Sequence, residues 1–181
     1  MKLSFTQPFS NRKWSLLWPV GAGAAALVVL LLMAWLTRGG STIESAMVAY
    51  QAGDVQGALD LFAQARDKNQ INTAEEWNLF GNAYRDSKHL PEALEAYKKA
   101  IKIDSGYETA YRNLAYTATD LVEQDSISQA ISEAVGLIEK GRRSYPQSVF
   151  LVEDLIMLYG KTGDSAKVDE LRSVREQLLA E

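Results

Sequence analysis

Residues 74–107 read AEEWNLFGNAYRDSKHLPEALEAYKKAIKIDSGY. Trp77, Phe80, Gly81 and Tyr84 fall at i, i+3, i+4 and i+7, one face of an α-helix. Leu90, Ala93, Leu94, Tyr97, Ala100 and Ile101 repeat the pattern on a second helix. The polar run Asp86-Ser87-Lys88-His89 separates them as a short turn. Thr73 and Glu76 stand three apart at the start of the first helix, the spacing of a capping box. Pro91 sits in the first turn of the second helix, where its missing N–H has no intrahelical partner. Gly81, Ala93 and Ala100 are small, so they mark the line along which the two helices approach.

The same unit recurs on both sides. Ala58, Phe62 and Ala65 match Ala93, Tyr97 and Ala100 at a shift of 35. Tyr111, Leu114, Ala115 and Ala118 match Trp77, Phe80, Gly81 and Tyr84 at a shift of 34. Ala134, Ile138, Gly141 and Pro146 follow at a shift of 41, so seven residues are inserted around 119–128. Seven residues make about two helical turns, and the spacing predicts a longer helical pair turning near Glu123–Ser126. The alternative is an ordinary hairpin with a protruding loop. Val152, Leu155, Ile156 and Tyr159 open a fourth unit, whose last helix keeps an apolar stripe but a polar outer face. Gly53-Asp54 and Gly163-Asp164 make the turns of the outer units.

In Trp77, Phe80, Gly81, Tyr84, Ala93, Tyr97 and Ala100 the chain resembles the tetratricopeptide repeat family, with Ser105 where the pattern has proline. The resemblance implies an all-α, right-handed superhelix of about four repeats: 42–68, 74–106, 107–146 and 147–181. It also implies a concave face lined by the first helix of each pair. By position that face takes Ile43, Met47 and Tyr50, then Glu75, Asn78, Asn82 and Arg85. Thr109, Arg112 and Tyr116 follow, then Phe150, Glu153 and Met157. Met47, Tyr50, Asn78, Asn82, Arg85, Arg112 and Tyr116 are the candidate partner-binding residues, of types that interfaces favour. Asn78, Asn82 and Arg112 suit the backbone or an acidic group of an extended peptide. Asn82 also fits the common repeat pattern and so serves equally as a support of the fold. The family's clamp for a peptide C-terminus has Lys and Asn where this chain has Ile43 and Met47, which argues against C-terminal capture.

Residues 14–36, WSLLWPVGAGAAALVVLLLMAWL, contain no charge and are long enough to span a bilayer as a helix. Trp14 and Trp18 at one end and Trp35 at the other sit where an aromatic belt places them. The run exceeds the apolar core of a cleavable signal, and no small-residue cleavage site follows, so an uncleaved anchor is expected. Lys2, Arg12 and Lys13 precede the span and Arg38 alone follows closely. The positive-inside rule then puts residues 1–13 in the cytoplasm and the repeats, after a hinge at 37–41, outside the cytoplasmic membrane. In a bacterium with an outer membrane that compartment is the periplasm. Gly21 with Ala25, and Ala22 with Ala26, form small-xxx-small pairs able to pack against another membrane helix.

All 23 acidic residues lie at Glu44 or beyond, where only 15 of the 19 basic ones lie. An acidic body of this kind does not bind nucleic acid broadly. There is no Cys and one His, which excludes disulfides and thiolate or His-rich metal sites. No phosphate-binding loop, nucleotide-binding glycine fingerprint or nucleophile motif occurs, so neither catalysis nor a cofactor is expected. His89 reads as a solvated turn residue, and Arg142-Arg143 as the cationic complement of a helix C-terminus. Function is left to the surface. The expectation is a membrane-anchored scaffold for a protein or peptide partner. The alternative is an accessory subunit of a membrane complex, held partly by its own span.

Overall fold

The computed structural model describes residues 41–121 and 127–180. The anchor at 14–36, its small residues Gly21, Ala22, Ala25 and Ala26, the flanking charges and the turn at Glu123–Ser126 lie outside those residues. Among the described residues no helix is long and apolar enough to cross a membrane. They form eight helices: α1 (Thr42–Gln51), α2 (Val55–Asp67), α3 (Ala74–Asp86), α4 (Leu90–Ile103), α5 (Glu108–Asp120), α6 (Ile127–Ser144), α7 (Val149–Thr162) and α8 (Ser165–Ala180).

Local chemistry sets the boundaries. Thr73 Oγ1 accepts from Glu76 N at 3.2 Å while Glu76 Oε2 accepts from Thr73 N at 2.9 Å, the reciprocal pair of a capping box. Ser41 and Glu44 do the same for α1. Asp54 caps α2 through Gly57 N at 2.9 Å, and Asp164 accepts from Lys167 N at 3.0 Å at the start of α8. The first and fourth hairpins turn through Gly53 at φ 84° and Gly163 at φ 77°. The equivalent place in the second is Lys88 at φ 64°, a left-handed conformation that glycine adopts more easily.

Consecutive helices pack as antiparallel pairs, and each first helix also packs on the next first helix: α1 on α3, α3 on α5, α5 on α7. No two second helices pack comparably. The first helices therefore lie on the inner side of the stack, and the second helices spread on the outer side. Two apolar clusters meet on α3. Phe80 and Ala83 face Phe62, Ala58 and Ile43, while Ala74 faces α4 and α5. Trp77 and Tyr84 touch both clusters. Phe62 stacks on Phe80 with ring centroids 5.1 Å apart, and Phe80 on Tyr84 at 4.4 Å.

Small residues stand where rings cross. A Cβ on Gly81 would lie 2.5 Å from Tyr97 Cε1, and one on Gly141 would lie 2.9 Å from Tyr111 Cζ. Tyr97 is completely buried, and Tyr111 nearly so, its hydroxyl donating to Ser105 O at 3.2 Å.

The inserted residues do not lengthen both members of the third pair. α5 ends at Asp120, the place equivalent to Asp86 at the end of α3. The added turn belongs to α6 alone, which has 18 residues against 14 in α4. The end of α5 gives the reason. Thr117, Thr119 and Asp120 are poor helix formers. Thr119 Oγ1 turns back to Tyr116 O at 2.7 Å, and Leu121 folds into the core as the cap.

Candidate functional site

The inner face divides into a half that is internally bonded and a half that is open. On α1, Ile43 is buried in the core and does not line a groove. Met47 packs half-buried against the same cluster. Tyr50 donates its hydroxyl to Asp86 Oδ2 at 2.8 Å, tying α1 to the end of α3. Its phenol is pushed up to about 12 by burial and by the Asp86 carboxylate. Arg85 Nε lies 4.0 Å from Asp86 Oδ1, a loose pair at the surface.

The two asparagines of α3 are joined to other helices of the fold. Asn113 Nδ2, on α5, donates to Asn78 Oδ1 at 2.8 Å and to Asn82 Oδ1 at 3.2 Å. Tyr97 donates its hydroxyl to the same Asn82 oxygen at 2.9 Å. Asn78 is only 3% exposed. Both carboxamide oxygens are thus taken up in holding α3, α4 and α5 together, because a buried amide must find its partners inside the fold. Asn78 and Asn82, expected from the sequence to reach a peptide backbone, thus have their side-chain oxygens engaged within the fold.

The open half lies between α5 and α7. Arg112 places its guanidinium carbon 4.4 Å above the Phe150 ring. Phe150 and Tyr116 are each 48% exposed, unusual for large aromatic side chains. Arg112 and Tyr116 are one turn apart on one face of α5. Glu108, Thr109, Arg112 and Phe150 line a cleft of about 180 Å³. Glu108 accepts from the Ser148 hydroxyl, which also caps α7 through Leu151 N at 3.3 Å. The first turn of α7 is thereby fixed against α5, and with it Phe150 beneath Arg112. The flat ring and the guanidinium together offer an aromatic platform with a fixed cation, able to take an acidic or planar group from a partner.

Asp154 anchors this arrangement from below. It is 4% exposed, and its Oδ1 lies 3.7 Å from Arg112 Nε. Its Oδ2 is buried without a hydrogen-bond partner in the described residues. Burial pushes its carboxyl up to about 6, with Glu153 and Glu108 adding to the rise and Arg112 opposing it. The folded chain therefore holds this proton more tightly than the unfolded chain. Stability from this group is present below about pH 4 and is lost as pH rises through about 6, by about 2–3 kcal/mol. Asp154→Asn is expected to unfold at higher urea than the natural chain at pH 7.5, with the two converging as pH falls to about 4. Parallel unfolding curves at the two pH values would contradict the burial of a costly charge here.

Asn113 and Asp154 were not singled out by sequence. Both stand at the repeat position that Leu79 holds in α3, at shifts of 34 and 75. Aligning the repeats and looking for polar residues at an apolar repeat position would have found them.

Residues 81–118 match the family model described as TPR repeat. No curated protein matches the chain. Among solved structures, the chain is similar to a thermophilic TPR protein of Thermus thermophilus, with 18% identity, TM-score 0.54, and 76% of this chain and 72% of that one covered. It is also similar to MamA 41-end from Desulfovibrio magneticus, at 15% identity and TM-score 0.56, covering 77% of this chain and 76% of that one. A further MamA structure has 18% identity and TM-score 0.56, with 82% of each chain covered. The matched repeat and these likenesses define an all-α tetratricopeptide-like fold. Helical-repeat folds of this kind present extended concave surfaces suited to binding.

Proposed function

We propose that this chain is a single-pass, membrane-anchored scaffold that holds a protein partner along its inner helical face. The observation that carries the reading is the exposed Arg112–Phe150–Tyr116 cluster between α5 and α7. It supplies two aromatic side chains and one arginine, the types that dominate binding energy at interfaces. Support for the anchor comes from the charge-free run 14–36, its flanking tryptophans and the basic residues before it. On this reading residues 1–13 are cytoplasmic and the repeats stand at the outer face of the cytoplasmic membrane.

A photo-crosslinker placed at Tyr116, and separately at Leu31, tests the reading in native membranes. A discrete protein adduct from Tyr116 supports the scaffold. Adducts from Leu31 alone would instead favour the accessory-subunit reading, which draws on the Gly21–Ala25 and Ala22–Ala26 pairs. Protease added to spheroplasts is expected to digest the chain beyond Gly40. Full protection would refute the outward placement.

A further inference from the structure

Among the described residues, two clefts open on the outer side of the stack, where the second helices spread. The cleft beside α2 and α4 has balanced charge: Arg66 and Lys99 against Glu92 and Glu95. Lys99 is also engaged, its ammonium lying 4.2 Å over the Trp77 ring. The cleft between α4 and α6 differs. It encloses about 550 Å³, within the range of built binding sites. Its apolar lining comes from Ile101, Leu137 and Tyr111, and its rims carry Lys98 and Lys102 on one side and Lys140 on the other. No acidic residue lines it.

Lys98 is satisfied, 2.8 Å from Glu95 and 2.5 Å from Glu133, a bridge that also spans α4 and α6. Lys102 and Lys140 are exposed and have no ion-pair partner among the described residues. Lys102 stands in the last turn of α4, where a cation suits the helix dipole. That accounts for one lysine on one helix. It does not account for a second unpaired lysine facing it across an apolar cleft, on a body that is acidic as a whole.

We propose that the α4–α6 cleft is a second docking surface, for an acidic amphipathic segment of a partner protein. The segment inserts an apolar side chain between Ile101 and Leu137 and sets carboxylates against Lys102 and Lys140. It lies on the side of the stack opposite the Arg112 cluster, so the two surfaces are occupied independently. Like charges on the body repel an acidic partner elsewhere and confine it to this cleft.

The test uses the full chain in nanodiscs and a dye-labelled synthetic helical peptide with a leucine stripe flanked by glutamates. Its twin has lysines for the glutamates. Fluorescence anisotropy is expected to show binding of the glutamate peptide and not of the lysine twin. Lys102→Glu combined with Lys140→Glu is expected to weaken that binding about tenfold or more, with the fold retained because both side chains are exposed and the melting temperature lowered only by the helix-dipole cost of the Lys102 reversal. Leu137→Gln should weaken it as well, and Phe150→Ala, which alters the other surface and keeps the Arg112–Asp154 pair, should leave it unchanged. The proposal is overturned if the two peptides bind alike, if neither binds, or if Phe150→Ala removes the binding. It is also overturned if the lysine reversals instead abolish self-association of the chain without peptide, since the cleft would then hold a second copy.

Discussion

Tyr97→Ala is expected to lower the unfolding free energy by about 3–5 kcal/mol, the range for truncating a fully buried aromatic side chain. Domains of this size have about 5–15 kcal/mol in all, so the effect is a large part of the total. The ring fills the space against Gly81, where even a Cβ would sit at 2.5 Å, so neither helix can close the hole by a small shift. The hydroxyl is the second loss, since it donates to Asn82 Oδ1 at 2.9 Å. Asn82 shares that oxygen with Asn113 at 3.2 Å, so the junction of α3 with α5 weakens too. Stability in a repeat stack is a sum of repeat and neighbour terms, and this residue sits in both. Tyr97→Phe removes only the hydrogen bond and should cost about 1 kcal/mol. Urea unfolding followed by far-UV circular dichroism measures both. A loss below about 1 kcal/mol for the alanine variant would contradict the packing described for this ring.

That packing was legible in the sequence because it is periodic. Gly81 and Tyr97 stand at fixed places in two amphipathic helices, and spacing alone brings a small residue opposite a ring. The capping box at Thr73 and Glu76 and the glycine turns at 53 and 163 were legible for the same reason: each depends on neighbours within a few residues. The polar network was not. Asn78 looks free on its own helix, and what binds it is Asn113, 35 residues away. The distribution of the inserted residues was also hidden. A count of seven fits two longer helices or one, and the choice falls to the Thr-rich end of α5 and to the burial of Leu121. The inner face was therefore readable as a face, while the half of it left open depended on contacts between repeats.

Removing the aromatic platform or its cation is expected to weaken partner binding by about 2 kcal/mol or more, roughly thirtyfold, as for a central interface arginine or aromatic residue. Phe150→Ala removes the ring beneath Arg112 and leaves the pair with Asp154 intact. Arg112→Ala leaves the Asp154 carboxylate buried without its counter-charge, so that variant is paired with Asp154→Asn to keep the stack folded. Neither Phe150 nor Arg112 is buried in the core, so melting temperatures should stay close to that of the natural chain. The central claim is that the open half of the inner face holds the partner. The most direct measurement is the dissociation constant of the full chain for the protein that cross-links at Tyr116, natural chain against Phe150→Ala. The account predicts a roughly thirtyfold weaker complex at equal melting temperature. Equal affinity for the two chains, with binding lost only on changing residues 14–36, would contradict it.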